Sequence, residues 1–410
     1  MKKIDVIRSG SLSLIIGPSG TMKRIIKNRE YFLSRGYDIN IFTHDSIQTG
    51  KSNVVSLTQE QAIAKRQYHK QLLTNLSLRC RMWAKKNVFL ANYYIKLADK
   101  RSLKLINYYL SLGRNADIVV VHSQQESYLF TRLCEKKSKL VTFLHNDGTH
   151  TMSLSYFPCV KGKWGEHYMI KMFDSAIEQT DKLCFISKIA RDSFIQRHPD
   201  YPKEKIGLVV NGIEDLTDEE KQEIVKIRSR YSDFKFRLCC IGTINRRKGQ
   251  WIVLEALAEM DIEKRKDIHV SFIGTGPQEE ELQGFVKNHK LDRNVTFEGS
   301  IDNSNVYKYL AEHNIYILMS DNEGLPISII EAMRAGLPVI STRVAGIPET
   351  VDKNGLLLDV DKNQLLEVFN NIDTYDWNEL GEQSRQKFET DFLFSRMAEN
   401  YCDVMDSLFE

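Results

Sequence analysis

The chain has 410 residues, 57 Lys+Arg against 54 Asp+Glu, and a formal net charge of +3. That length exceeds one compact core and suits two or three domains, and 42% hydrophobic with 27% charged residues excludes a disordered or fibrous chain. The near-balanced total argues against a general nucleic-acid binder, yet residues 1–200 hold 32 basic and 16 acidic side chains while residues 201–410 hold 25 and 38. Such polarity between halves, +16 against −13, points to a charged partner for the first.

The first half alternates short apolar runs with helix-period segments, as a parallel sheet covered by helices does. Strands are expected at 4–8, 39–43, 53–57, 117–122, 139–145 and 182–187. The second half repeats the scheme at 236–242, 268–274, 295–299, 315–320 and 337–342, with helices over 249–260 and 326–336 among others. This α/β pattern reads as two Rossmann-like domains with parallel sheets facing a cleft. The boundaries expected are 1–214, 215–384, and terminal helices over 385–410 that pack back on the first domain, the join lying in the charged segment 215–235. Seven cysteines without C-x-x-C spacing fit a reducing cytosol. Asp5 and Arg8 break any signal-like run at the start, and no stretch reaches the ~20 apolar residues of a spanning helix. The expectation is a soluble cytoplasmic protein, with attachment at the inner face of the plasma membrane as its elaboration.

Ligands of open parallel sheets bind beyond the carboxyl ends of strands, so the residues after each strand carry the reading. The run after 315–320 places Glu323 and Glu331 eight apart around Gly324-Leu325-Pro326. Those three residues open a helix whose free amides and dipole suit a diphosphate, and Gly324 permits close backbone approach. Glu331, expected over two turns into that helix, suits paired hydroxyls such as those of a ribose; alternatively both glutamates are a solvated face. The loop after 236–242 carries Thr243, Arg246, Arg247 and Lys248 into a helix. Lys248 would act as a point charge on a departing diphosphate; the bland alternative is a solvated basic turn. Gly274 and Gly276 form G-x-G without the third glycine of a dinucleotide fingerprint, and read as close packing around a nucleotide. In the first half, Gly17 and Gly20 belong either to a loop that approaches a diphosphate or acceptor, or to a plain turn. His145, at the end of 139–145, can donate a hydrogen bond to a sugar or phosphate, though a lone histidine is usually structural.

Together these motifs resemble the retaining GT-B glycosyltransferases of the large family 4 class, which includes many bacterial polysaccharide and lipopolysaccharide enzymes. The resemblance runs over nearly the whole chain: REYFLSRGYDINIFT (29–43), His145, FISKIARDSF (185–194), VVNGI (209–213), IGTINRRKG, FIGTGP, VTFEGSI, NEGLPISIIEAM and GLPVISTRVAGIPE. It implies a hexosyltransferase whose nucleotide-diphosphate sugar, UDP ahead of GDP, is bound mainly by the C-terminal domain as substrate, with no cofactor. Glu323 would touch the donor sugar beside the backbone of Gly324, Leu325 and Pro326; Glu331 would hold the ribose, Lys248 the diphosphate, and His145 would face the sugar from the other domain. The family commonly has Arg where this chain has Thr243, so Arg246 or Arg247 is expected to supply that charge. Asp321-Asn322-Glu323 does not fit a D-x-D metal site, and no metal requirement is expected.

Residues 61–114 hold 12 Lys+Arg and a single acid, Asp99, with interleaved Tyr68, Trp83, Phe89, Tyr93, Tyr94, Tyr108 and Tyr109. A basic helical region with aromatic anchors suits an anionic membrane surface and a glycan or lipid-linked acceptor in surface polysaccharide synthesis; a solvated helix pair is the sober alternative. No nucleic-acid partner is expected. The rival functions are a noncatalytic GT-B partner that stabilises another transferase, a sugar-nucleotide epimerase, and a phosphorylase.

Overall fold

A computed structural model describes residues 1–10, 19–53, 80, 83–135, 137–145, 157–230 and 232–410. The chain forms two compact units, Met1–Val210 with Ala398–Glu410, and Asn211–Met397.

The first unit holds a six-stranded parallel sheet in the order β2-β1-β3-β4-β5-β6. Its strands are β1 (Lys2–Ile7), β2 (Tyr37–Phe42), β3 (Ile118–Val121), β4 (Lys139–Leu144), β5 (Lys182–Phe185) and β6 (Ile206–Leu208). The central strand β3 is a continuous apolar run, IVVV, with all four residues buried. The principal helices are α1 (Ser19–Lys27), α2 (Val88–Ser111), α3 (Gln124–Leu133) and α4 (Trp164–Gln179). Helix α2 starts where Asn87 Oδ1 accepts the Leu90 N–H at 3.1 Å, and it buries Ala91, Ile95, Ser102, Leu105, Ile106 and Tyr109. Within β1 Asp5 is fully buried, and its two oxygens take the Arg114 fork at 2.7 and 2.9 Å. The terminal residues belong to this unit: Tyr37 donates to Asp406, and Lys2 lies 3.8 Å from the Phe409 ring centroid.

The second unit repeats the design in the order β12-β11-β10-β7-β8-β9, again parallel throughout. Here the strands are β7 (Phe236–Ile241), β8 (Ile268–Ile273), β9 (Val295–Gly299), β10 (Ile315–Leu318), β11 (Val339–Thr342) and β12 (Gly355–Leu358). Its first helix, α5 (Asp218–Arg228), lies inside the segment expected to join the domains; Thr217 and Glu220 close a capping box there, and Asp218, Glu219 and Glu220 oppose the dipole. Helices α6 (Gln250–Glu259) and α7 (Ile327–Arg334) follow the two strands that matter most; the last helix, α8 (Phe394–Asp406), starts in this unit and passes into the first at Ala398.

Ten expected strands are present within a residue or two of the positions expected, and the α/β class with two parallel Rossmann-like sheets holds. The strand expected at 53–57 lies outside the described residues beyond Asn53. The two unexpected strands, β6 and β12, are edge strands of three and four residues. All seven cysteines are free thiols, four of them buried.

Candidate active site

In each sheet the order reverses beside the first strand of the unit, between β1 and β3 and between β7 and β10. The carboxyl ends at such a reversal diverge and leave a crevice.

In the second unit, two loops meet there. After β7, Asn245 Oδ1 accepts the Lys248 N–H at 3.1 Å and caps a short turn over Arg246–Lys248. Gly249 closes that turn at φ 70°, and a Cβ on it would stand 1.8 Å from the Met319 carbonyl oxygen. Only glycine combines that left-handed backbone with that approach. After β10, the Asp321 N–H donates to the Arg247 carbonyl at 2.9 Å, and Ser320 Oγ shares its single proton between that oxygen and Glu323 Oε1, each at 2.8 Å. The loops are thereby clamped, and their side chains converge on Glu323. Its Oε1 accepts from Lys248 Nζ at 2.7 Å, Arg247 Nη1 at 2.7 Å and Ser320 Oγ at 2.8 Å. Glu323 is buried, and Lys248 is nearly so. Lys248 spends one of its three ammonium donors on this bond, leaving two for an anion. Arg247 also donates to the Asn322 carbonyl at 2.7 Å, and half its side chain remains exposed. Thr243 is exposed, and its carbonyl accepts from Gln250 Nε2 at 3.2 Å; Arg246 is exposed.

Gly324, Leu325 and Pro326 lead from Glu323 into α7. Pro326 has no N–H, so the donors that this terminus presents are those of Ile327 and Ser328, which lack ladder partners at a helix start. The helix begins at Ile327, so Glu331 lies just over one turn in, not over two as expected from the sequence; it is half-buried. Gly274 and Gly276 sit where β8 passes the β7 loop, and a Cβ on either would lie 2.0 and 1.9 Å from the carbonyl oxygens of Gly242 and Ile244. Their glycines therefore let two backbones touch.

In the first unit, His145 follows β4 and meets His122, which follows β3. His122 Nδ1 and His145 Nε2 share a hydrogen across 2.8 Å, and the His122 ring stacks on Phe143. Buried Glu126 accepts from the His122 N–H at 3.1 Å and from the Ser9 N–H at 2.5 Å, with Arg8 Nη1 at 3.7 Å. Burial holds both imidazoles below the ordinary histidine pKa; Arg8 adds to this for each, and His145 adds to it for His122. Their neutral forms therefore persist in the folded protein at pH values where an unfolded histidine, with pKa about 6.5, takes up a proton. The contribution is full above that pH and falls as the pH drops, by up to about 1.4 kcal/mol per unit for each ring. Thermal melts from pH 7.5 to 4.5 are expected to show this decline, and His122→Asn to make it shallower; an equal slope in the variant would contradict the assignment. Gly20 is the second residue of α1, and among the described residues a Cβ there would meet Arg24 at 3.7 Å, an ordinary contact. Gly17 lies outside the described residues.

Comparison with known proteins bears on the same residues. The profile of the family described as Glycosyl transferases group 1 matches residues 235–372. Residues 235–372 thus resemble a group 1 glycosyl transferase domain. The chain is 29% identical over 164 residues to the putative colanic acid biosynthesis glycosyltransferase WcaL of Escherichia coli K12, a match spanning 37% of this chain and 40% of that protein. Against the O-antigen biosynthesis glycosyltransferase WclY of Escherichia coli it is 25% identical, over 76% of this chain and 82% of that one. Among solved structures, Anabaena HepE in complex with UDP superposes with a TM-score of 0.64 at 16% identity, covering 99% of this chain and 100% of that one. The architecture is the GT-B fold.

Thr243, Arg247, Lys248, Gly274, Gly276, Glu323, Gly324, Leu325, Pro326 and Glu331 all fall inside the matched residues 235–372. Sequence reasoning passed over four neighbours of the expected residues: Ser320, which locks Glu323, and Gly249, which sets the turn; and in the first unit His122 and Glu126. His122 was open to the rule that singled out His145, since it too directly follows an apolar strand. Among the described residues no three His, Cys, Asp or Glu side chains cluster as metal ligands would, and no helix is long and apolar enough to cross a membrane.

Proposed function

We propose that this chain transfers a glycosyl unit from a nucleotide-diphosphate sugar to a hydroxyl of a glycan or lipid-linked acceptor in bacterial surface polysaccharide synthesis, with retention of anomeric configuration. The observation that carries the reading is the convergence of Lys248, Arg247 and Ser320 on one oxygen of Glu323, at the strand reversal of the second unit. Lys248, Arg247 and the free N–H groups of α7 are positive groups aimed at one crevice, an arrangement suited to a diphosphate. Arg247 supplies the charge that Thr243 cannot. Glu323 Oε2 would accept from a donor-sugar hydroxyl, and Glu331 would accept from the ribose.

In the proposed step the bond from the anomeric carbon to the diphosphate oxygen breaks while the acceptor oxygen bonds to the same face of that carbon. The acceptor proton passes to the departing diphosphate, whose charge Lys248 and Arg247 stabilise. Glu323, engaged by three donors, is a weak nucleophile, which supports same-face attack over a covalent glycosyl–enzyme intermediate. His145, neutral and held by His122, would donate to the sugar. UDP is the nucleotide favoured, in keeping with the UDP held by Anabaena HepE, and no metal is required in this reading.

Purified protein set against common nucleotide sugars tests the proposal through ligand-induced stabilisation and release of free nucleotide, with and without excess chelator. Stabilisation by UDP-sugars and turnover surviving chelation are expected. Stabilisation by GDP-sugars alone would overturn the choice of base, complete loss of turnover in chelator would overturn metal independence, and no response to any nucleotide sugar would overturn the donor site.

A further inference from the structure

The first unit carries a surface that the donor chemistry does not use. The exposed side of α2 reads Phe89, Tyr93, Lys96, Lys100, Lys104, at spacings of four, three, four and four that keep all five on one stripe. Phe89 is 87% exposed and Tyr93 60%. Just before the helix Trp83 is 65% exposed, and Trp164, which opens α4, is 44% exposed with Lys96 Nζ 5.2 Å from its ring centroid. Packing joins these segments: Cys159 Sγ donates to the Ala84 carbonyl at 3.2 Å, and Tyr94 stacks on Phe157. Lys85, Lys86, Lys161 and Lys163 are exposed around the aromatic end. The one acid among residues 83–104 and 157–164, Asp99, is turned inward and accepts from Tyr168 Oη at 2.8 Å and from Gln125.

Four large aromatic rings standing in solvent are a cost unless something covers them. Exposed rings at one end of the stripe and a row of lysines along its length match the two layers of a bilayer surface. Phe and Trp partition into the headgroup–acyl boundary, and lysines reach anionic headgroups. An acidic protein would satisfy the lysines but would not account for the exposed rings. We infer that the α2 stripe with Trp83 and Trp164 is the surface by which this protein docks on an anionic lipid bilayer. The inference deepens the acceptor side of the proposed function, since a docked first unit would meet a lipid-linked acceptor at its own membrane. It also relocates the expected membrane contact: residues 61–79, 81 and 82 lie outside the described residues, whereas Trp164 lies beyond the basic run altogether.

The test uses the full chain without donor or acceptor, so its failure leaves the transferase reading standing. Flotation is measured with vesicles of phosphatidylglycerol and phosphatidylcholine, and with phosphatidylcholine alone. The protein is expected to float with the anionic vesicles and to stay behind with the neutral ones. K96Q/K100Q/K104Q should weaken partitioning roughly 100-fold, and F89S/Y93S about tenfold or more, each with a melting temperature close to wild type because these side chains are exposed. Brominated lipid should quench tryptophan fluorescence in the wild type and not in W83F/W164F. Equal recovery on both vesicle types, no flotation on either, or quenching that survives loss of both tryptophans would overturn the inference.

Discussion

Lys248→Ala is expected to lower kcat roughly 10²- to 10³-fold, the usual cost of deleting one preorganised group aimed at developing charge. The ammonium reaches Glu323 Oε1 at 2.7 Å from a turn that Asn245 caps and Gly249 closes, so its position is set before any ligand arrives. The fold should survive the change, because Glu323 keeps Arg247 and Ser320 as donors. Adding Arg247→Ala should cost more than the single change, since only then is the diphosphate left to the α7 amides. Single-turnover measurement at saturating donor separates the chemical step from binding. An unchanged kcat for Lys248→Ala would remove the lysine from the assigned role.

Gly249→Ala is expected to damage both stability and turnover. A left-handed alanine costs about 1–2 kcal/mol on its own, and the new Cβ would stand 1.8 Å from the Met319 carbonyl oxygen, a clash that must be relieved by moving backbone. Overpacking of that kind adds about 1–3 kcal/mol. The turn that moves is the one that carries Arg247 and Lys248, so donor turnover should fall with the stability. Calorimetric melting with turnover measured below the transition checks both, and a variant with wild-type melting temperature and rate would show that the close approach is not required.

Most of the sheet structure was visible in the sequence because parallel strands buried on both faces must be unbroken apolar runs, as IVVV and IYIL are. Ile206–Leu208 and Gly355–Leu358 escaped because edge strands of three or four residues offer too little periodicity to separate from a loop. Lys248, Glu323 and Glu331 stood out through their neighbours: a glycine-rich turn after one strand, a Gly-Leu-Pro after another. What the linear pattern does not carry is convergence. That Arg247 rather than Arg246 reaches Glu323, and that Ser320 fixes the same carboxylate, follows from the register between two loops about 75 residues apart. Glu331 lies less deep in its helix than the sequence suggests, because Pro326 is the cap and the first turn starts at Ile327. Trp164 joined the lysines of α2 only through packing, across more than sixty residues of chain.

Proton NMR of the glycoside formed from an α-linked UDP-sugar tests the central claim of retaining transfer most directly. The account predicts acceptor-dependent release of UDP and a product whose anomeric coupling matches that of the donor. A product of inverted configuration, or isomerised nucleotide sugar formed without any acceptor, would contradict it.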